Sequence, residues 1–143
     1  MARGKDNKLE QLGQVRLFSA CNKKELGLIG KASDEITVPA GKVLCEQGKP
    51  GFELYLILDG EATVKRNGKK IAALGPGGYF GELALLTRLP RNSTVEATTP
   101  MELLVLGQRE FSGLLDEVPG MAHKLLSSMA ERLSQADAKS TGN

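Results

Sequence analysis

The sequence predicts a mainly β domain with helices at both ends. From Ile36 onward, short apolar segments are separated by Gly, Pro, Asn-Gly and Asp-Gly turn signals, a pattern typical of closed or double-sheet β structures. Apolar residues return to helical spacing after residue 110. A length of 143 residues suits one core. We expect a single domain over residues 1–143, with its core at about 15–135 and disordered polar tails at 1–7 and 137–143.

The N-terminal region predicts two short helices. Leu9 and Leu12 supply the apolar side of the first. Asn22 is a good N-cap for the second, and Glu25 three residues later completes a capping box. Basic residues alternate here with acidic ones, and the net charge of the chain is only +2. We therefore interpret them as a solvated helix face and expect no direct nucleic-acid binding.

The central region predicts strands of three to five residues. Leu54–Leu58 is a continuous apolar run that fits a strand buried on both faces. Asn67-Gly68 is a strong signal for a two-residue hairpin turn. The other strand candidates are 36–38, 43–45, 62–64, 71–74, 94–97 and 102–106.

Two helices are predicted after the strands. The first has apolar residues at positions i, i+3, i+4 and i+7, namely Phe111, Leu114, Leu115 and Val118. Pro119-Gly120 separates it from a second helix. The second helix carries an apolar stripe with a spacing of four, namely Met121, Leu125, Met129 and Leu133.

The stretch from Phe80 to Arg91 has the features of an anion-binding turn. Gly81 has no Cβ and lets the backbone approach a ligand closely. Backbone N–H groups at the start of a helical turn suit a phosphate, and the planar fork of Arg91 can pair with one. Glu82 would repel phosphate, so it should face ligand hydroxyls, for which a ribose 2′-hydroxyl is the natural candidate.

This stretch resembles the phosphate-binding cassette of cyclic nucleotide-binding domains, which occur in protein kinase A regulatory subunits, cyclic nucleotide-gated channels and the catabolite activator protein. The similarity covers roughly residues 15–135. It includes Gly77-Gly78-Tyr79-Phe80-Gly81-Glu82-Leu83-Ala84, Pro90-Arg91, Thr94-Val95-Glu96-Ala97, and upstream Gly41, Gly48, Gly51, Leu54-Tyr55-Leu56-Ile57 and Gly60. The resemblance implies an eight-stranded β-roll, a double-sheet jelly roll, with N-terminal helices, an internal cassette helix and two C-terminal helices.

The resemblance also implies a ligand site. In it Arg91 pairs with the cyclic phosphate and Glu82 takes the 2′-hydroxyl, while the N–H groups of Leu83, Ala84 and Asn92 complete the phosphate cradle. The whole implied ligand-binding set is Gly81, Glu82, Leu83, Ala84, Arg91, Asn92, Ser93 and Val64.

The base-binding part of the site departs from the family pattern. Val64 matches a position that lines the base pocket. Asn92 and Ser93 stand where the family usually has Ala, Ser or Thr followed by Ala, and strand alternation should point Ser93 to the opposite face. With no guanine-specific hydroxyl in place, cAMP is expected ahead of cGMP.

The last helix could close over the base, as it often does in this family. The candidates for such a cap are Met129, Arg132 and Leu133. A stripe of this period is generic, so Met129 and Leu133 could equally pack on the β-roll or on a partner helix.

The resulting interpretation is a regulatory sensor of cyclic nucleotides. The alternative of the same fold is a degenerate domain that binds proteins and no nucleotide. An enzyme is disfavoured, because His123 is the one histidine and neither a Gly-x-Ser-x-Gly elbow nor a P-loop occurs. We therefore expect no catalytic residues, no metal ligands and no cofactor besides the nucleotide.

The expected setting is the cytoplasm. The sequence has no signal peptide and no long apolar run, so a membrane span is not expected. Cys21 and Cys45 lack metal-type spacing and are interpreted as free thiols. A homodimer or an effector domain or protein, whose identity the sequence does not reveal, is the expected partner.

Overall fold

The computed structural model describes residues 5–140, and the side chains of that range except 5–7, 132 and 136–140. Four α-helices and eight strands follow one another along the chain. The helices are α1 (Lys5–Gln14), α2 (Lys23–Ala32), α3 (Gln108–Glu117) and α4 (Pro119–Ser140). The strands are β1 (Asp34–Val38), β2 (Val43–Cys45), β3 (Glu53–Asp59), β4 (Ala62–Arg66), β5 (Lys69–Leu74), β6 (Tyr79–Phe80), β7 (Thr94–Ala97) and β8 (Met101–Gly107).

The strands form two antiparallel sheets of four. One sheet has the order β1-β8-β3-β6 and the other β2-β7-β4-β5. Neighbours in a sheet are often distant in sequence: β1 pairs with β8, with Asp34 opposite Val105. This double-sheet roll with flanking helices confirms the predicted fold class.

The alternation of β3 explains its continuous apolar sequence. Tyr55 and Ile57 pack into the cluster between the two sheets, together with Val95 and Leu103. Leu54, Leu56 and Leu58 point to the other face. That face is covered by the helices, in a cluster that includes Phe18, Ile29, Phe111, Met121 and Leu125. The strand is therefore buried on both sides, as its composition predicts.

Several local predictions are confirmed. Asn22 caps α2, since its side chain accepts from the Glu25 N–H at 2.9 Å and Glu25 accepts from the Asn22 N–H at 2.8 Å. Asn67 and Gly68 form the β4–β5 turn with φ values of 54° and 80°. The structure also has both cysteines as free thiols.

Two segments differ from the expectation. The cassette helix is a single 3₁₀ turn, Glu82–Leu85, called here the cassette turn. A second 3₁₀ turn, Arg16–Phe18, follows α1 and is called here the N-terminal turn. At the chain ends, α1 begins at Lys5 and α4 continues to Ser140, and the disorder of the tails 1–7 and 137–143 stays a prediction. Residues 1–4 and 141–143 of those tails lie outside the described residues.

Candidate functional site

A cleft of about 370 Å³ lies beside the cassette turn. Its wall is made by β6, the cassette turn, the loop that follows it and the Arg16 side chain of the N-terminal turn. The lining residues are Arg16, Cys45, Tyr79, Phe80, Gly81, Glu82, Leu83, Ala84, Thr87, Leu89, Pro90, Arg91, Asn92, Ser93 and Val95. Seven of the eight residues of the predicted ligand set belong to this wall.

Arg91 is held in the wall largely by backbone groups. Its N–H donates to the Lys49 carbonyl at 2.9 Å and its carbonyl accepts from Gly48 at 2.8 Å. Its Nη2 donates to the Glu53 carbonyl at 3.0 Å. Its Nε is buried and has no hydrogen-bond partner. Among the residues that the structure describes, Arg91 forms no ion pair with a carboxylate. The guanidinium is thus positioned, yet its charge is not neutralised.

Two glycines make room for the guanidinium. A Cβ added at Gly51 would overlap Nε and Cζ of Arg91. A Cβ added at Gly81 would overlap the Glu53 carbonyl oxygen and Nη1 of Arg91. Gly81 also has a φ of +83°, which favours glycine. Gly81 therefore makes room for the Glu53 carbonyl oxygen and the Arg91 guanidinium, and its close approach to a ligand stays a prediction.

Glu82 is buried, with 6% of its surface exposed. Its Oε1 accepts from Nη2 of Arg16 at 3.0 Å, and its Oε2 accepts from the backbone N–H of Leu17 at 3.2 Å. The sequence predicts a hydroxyl of a ligand as the partner of this carboxylate. The structure adds two partners from the N-terminal turn, which no local motif indicated.

Some backbone groups of the cassette turn already form hydrogen bonds within the protein. The Ala84 N–H, which the resemblance assigns to the phosphate cradle, donates to the Gly81 carbonyl at 3.0 Å. The Leu83 side chain is 54% exposed at the cleft. Gln108 at the start of α3 donates through Nε2 to the carbonyls of Ala84 and Thr87, at 3.0 and 3.2 Å. This ties the cassette turn to the first C-terminal helix.

Asn92 and Ser93 both line the cleft. The expectation that Ser93 points to the opposite face is wrong, because β7 begins at Thr94 and strand alternation does not apply before it. The Ser93 hydroxyl donates to Oδ1 of Asn92 at 3.3 Å. The Asn92 carbonyl accepts from Nε of Arg66 at 3.1 Å, which anchors this corner to the β4–β5 hairpin.

Val64, Met129 and Leu133 are not among the residues that line the cleft. Val64 is half-buried and packs against the cluster between the sheets, and its role in lining a base pocket stays a prediction. Met129 packs against the helix-side cluster, and Leu133 is 67% exposed. Neither lines the cleft, and the side chain of Arg132 lies outside the described residues. The packing of Met129 agrees with the packing alternative, and a base cap by Met129, Arg132 and Leu133 stays a prediction.

Three contributors to the site were missed in the sequence. Arg16 and Tyr79 meet at the cleft, with Nε of Arg16 donating to the Tyr79 hydroxyl at 3.1 Å. Cys45 reaches the wall from β2, and burial raises the pKa of its thiol. Tyr79 belongs to the Gly77–Ala84 motif, which is the sequence signal for its position at the cleft. Arg16 and Cys45 carry no motif signal.

Other kinds of site find little support within the described part of the chain. The side chains described within residues 5–140 include no cluster of three or more His, Cys, Asp or Glu suited to a metal ion. Over the same range, no helix combines the length and apolar character needed to cross a membrane.

Known proteins share both the sequence pattern and the fold. The family model described as the cyclic nucleotide-binding domain matches residues 35–118. The cAMP-dependent protein kinase regulatory subunit of Schizosaccharomyces pombe is 39% identical over 105 residues, which is 73% of this chain and 26% of that subunit. The chain thus spans about a quarter of the length of that relative.

Solved structures agree with this match. The N-terminal domain of a transcriptional regulator from Streptomyces coelicolor A3(2) superposes with a TM-score of 0.83 at 30% identity, over 90% of this chain and 95% of that one. The regulatory domain of Toxoplasma gondii PKA, crystallised with cAMP, has a TM-score of 0.69 at 30% identity, over 79% of this chain and 46% of that one. With its fold, its Gly81–Arg91 constellation and these matches, the chain belongs to the cyclic nucleotide-binding domain family.

Proposed function

We propose that the chain binds a cyclic nucleotide in the cleft beside the cassette turn, with cAMP favoured over cGMP, and serves as a regulatory sensor. Arg91 carries the proposal. It is a positioned cation without a carboxylate partner in the described residues, and one of its donors is buried and unmatched. A buried donor without a partner is uncommon unless a ligand, ion or water supplies one. The cyclic phosphate, a single negative charge with acceptor oxygens, would supply it.

The relatives support the choice of ligand. The S. pombe relative is a cAMP-dependent regulatory subunit, and the T. gondii structure was solved with cAMP. The cAMP preference rests on Asn92, which stands where a Ser or Thr hydroxyl of the family can favour cGMP. In the structure its Oδ1 already accepts from Ser93.

The sensing step is proposed to be a shift between two arrangements of α3 and α4 against the cassette turn. Gln108 supports this, since it joins the start of α3 to two carbonyls of the cassette region. A ligand that moves the cassette turn would strain or strengthen those bonds. A second copy of the chain or an effector protein would then bind differently to the displaced helices.

Calorimetric titration of the purified chain with cAMP and cGMP tests the proposal, with 5′-AMP as a control that lacks the cyclic phosphate. Saturable binding of cAMP at one site, stronger than that of cGMP and much stronger than that of 5′-AMP, is the expected result. The absence of binding by either cyclic nucleotide would overturn the proposal, and it is what a domain that binds only proteins would give.

A further inference from the structure

The carboxylate of Glu82 is oriented by a segment that precedes it by more than sixty residues. Arg16 and Leu17 of the N-terminal turn donate to its two oxygens at 3.0 and 3.2 Å. The Glu82 side chain is 8% exposed, whereas that of Arg16 is 66% exposed. A buried carboxylate needs hydrogen-bond donors for its oxygens, and these two donors fix the direction of Glu82. The N-terminal turn therefore provides a positive charge next to Glu82 and fixes the orientation of its carboxylate in the cleft wall.

Arg16 is itself fixed by two bonds to one phenol. Its Nε donates to the Tyr79 hydroxyl at 3.1 Å and its backbone N–H donates to the same oxygen at 3.2 Å. The hydrogen bond to Tyr79 and the charge of Glu82 raise the pKa of Arg16 above its ordinary value. Arg16, Tyr79 and Glu82 all line the cleft. These three side chains thus form one connected polar group at its edge.

The same turn reaches the last helix. The hydroxyl of Ser128 on α4 donates to the Arg16 carbonyl at 3.3 Å, and it lies 3.3 Å from the Ser19 hydroxyl. A change in the direction of Glu82 would therefore act on a turn that also contacts α4. Hydrogen bonds therefore connect the cleft to the N-terminal turn and, through that turn, to α4.

We propose that Arg16 is a positioning residue for ligand recognition: together with Tyr79 it holds the Glu82 carboxylate in the direction that accepts the ribose 2′-hydroxyl of a cyclic nucleotide. The inference rests on the proposed function and adds to it that hydroxyl recognition depends on the N-terminal turn. A carboxylate offers about four acceptor positions, so bonds from Arg16 and Leu17 are compatible with a further bond from a ligand hydroxyl. Without Arg16, the buried carboxylate loses the guanidinium bond to its Oε1 that helps to fix its direction.

The test measures the ratio of the affinities for cAMP and 2′-deoxy-cAMP, by competition against a fluorescent cyclic nucleotide. In the wild type, cAMP should bind about tenfold more tightly than the deoxy analogue, the equivalent of one hydrogen bond. In Arg16→Ala the ratio should fall toward one, mainly because cAMP binds less tightly. Arg16→Lys retains a charge and should recover part of the ratio. Arg109→Ala, which removes an exposed arginine of α3, is the matched control and should leave the ratio unchanged.

Tyr79→Phe provides an independent variant that keeps the ring and removes only the hydroxyl that holds Arg16. It should lower the ratio less than Arg16→Ala. A merely structural role of Arg16 would weaken both ligands equally and leave the ratio unaltered. If Arg16→Ala, shown to be folded by its thermal melt, retains the wild-type ratio, the inference is wrong while the proposed function stands. If the wild type binds neither nucleotide, the proposed function fails, and the inference with it.

Discussion

At the residue scale, the position of the Arg91 guanidinium in the cleft wall depends on how closely it can approach the backbone. The Arg91 guanidinium lies against Gly51 and Gly81, where any larger residue would occupy its position. Its bond to the Glu53 carbonyl fixes its direction without neutralising its charge. The two glycines are therefore as much a part of the proposed phosphate site as the arginine.

Gly81→Ala should weaken cAMP binding by displacing Arg91. The new Cβ would overlap both the Glu53 carbonyl oxygen and the guanidinium, and the φ of +83° adds backbone strain of ~1–3 kcal/mol. Gly77→Ala is a matched control, because its φ is +86° and its added Cβ would meet nothing within 4 Å. Thermal melts and cAMP titrations of both variants measure the effect. Equal cAMP affinities in the two variants would contradict the packing role of Gly81.

Asn92→Thr should move the base preference toward cGMP. A hydroxyl at this position could bond the guanine amino group, and one such bond changes the preference by less than ~2 kcal/mol. Ser93→Ala is the companion variant, because Ser93 also lines the cleft and donates to Oδ1 of Asn92. Competition of cAMP and cGMP against one fluorescent analogue gives the ratio. A strong cGMP preference in the wild type would show that Asn92 or Ser93 already reads guanine.

At the scale of elements, polar contacts join the last helix, α4, to α2 and to the N-terminal turn, in addition to their shared apolar cluster. Lys124 of α4 donates to Oε1 of Glu25 at 2.7 Å, on the residue that also completes the α2 capping box. Ser128 joins α4 to the N-terminal turn. If a ligand displaces α4, these two contacts must either break or move together with the helix.

Glu25→Gln should lower stability near neutral pH by roughly 1 kcal/mol, because it removes an ion pair that is only partly shielded from solvent. The capping box should survive, since Gln also suits that position. The hydrogen bond from Lys124, followed by the bond from the Asn22 backbone, lowers the pKa of Glu25 from its ordinary value of 4.5. The stabilisation is therefore complete above that value and is lost as the pH falls through the lower pKa of the folded protein.

Chemical denaturation of the wild type and Glu25→Gln at several pH values checks this. The difference in unfolding free energy should shrink as the pH is lowered below 4.5, the ordinary pKa of the carboxyl group. Glu131→Gln changes the same charge at an exposed position of α4 and serves as the control. A difference that stays constant down to acid pH would mean that the Lys124–Glu25 pair contributes no charge-dependent stability.

At the scale of the whole molecule, local patterns predicted the elements well. The Asn22–Glu25 capping box, the Asn67-Gly68 turn and the Leu54–Leu58 run each act over a few residues, and all three are present as predicted. The order of strands is not local: β1 pairs with β8 across some seventy residues, and the resemblance to a family, rather than periodicity, indicated the two-sheet roll.

In the site, too, contacts within one motif were predictable and contacts between distant parts of the sequence were not. Gly81, Glu82 and Arg91 were predicted because they share one short motif, and they line one cleft. Arg16 could not be predicted, because its contact with Glu82 joins positions 66 residues apart and its neighbours in sequence form no motif. The base-pocket role of Val64 stays a prediction, because a match in strand position does not by itself determine whether a side chain contacts a ligand.

The cAMP affinity of Arg91→Ala tests the central claim most directly, measured by calorimetry beside the wild type. If Arg91 pairs with the cyclic phosphate, its loss should cost ~2–5 kcal/mol of binding, which is a decrease in affinity on the order of 30-fold to several thousandfold. The fold should survive, as a thermal melt would show. Arg88→Ala, which removes an exposed arginine three residues earlier, should bind cAMP like the wild type. An unchanged cAMP affinity in folded Arg91→Ala would contradict the assignment of this cleft as the nucleotide site.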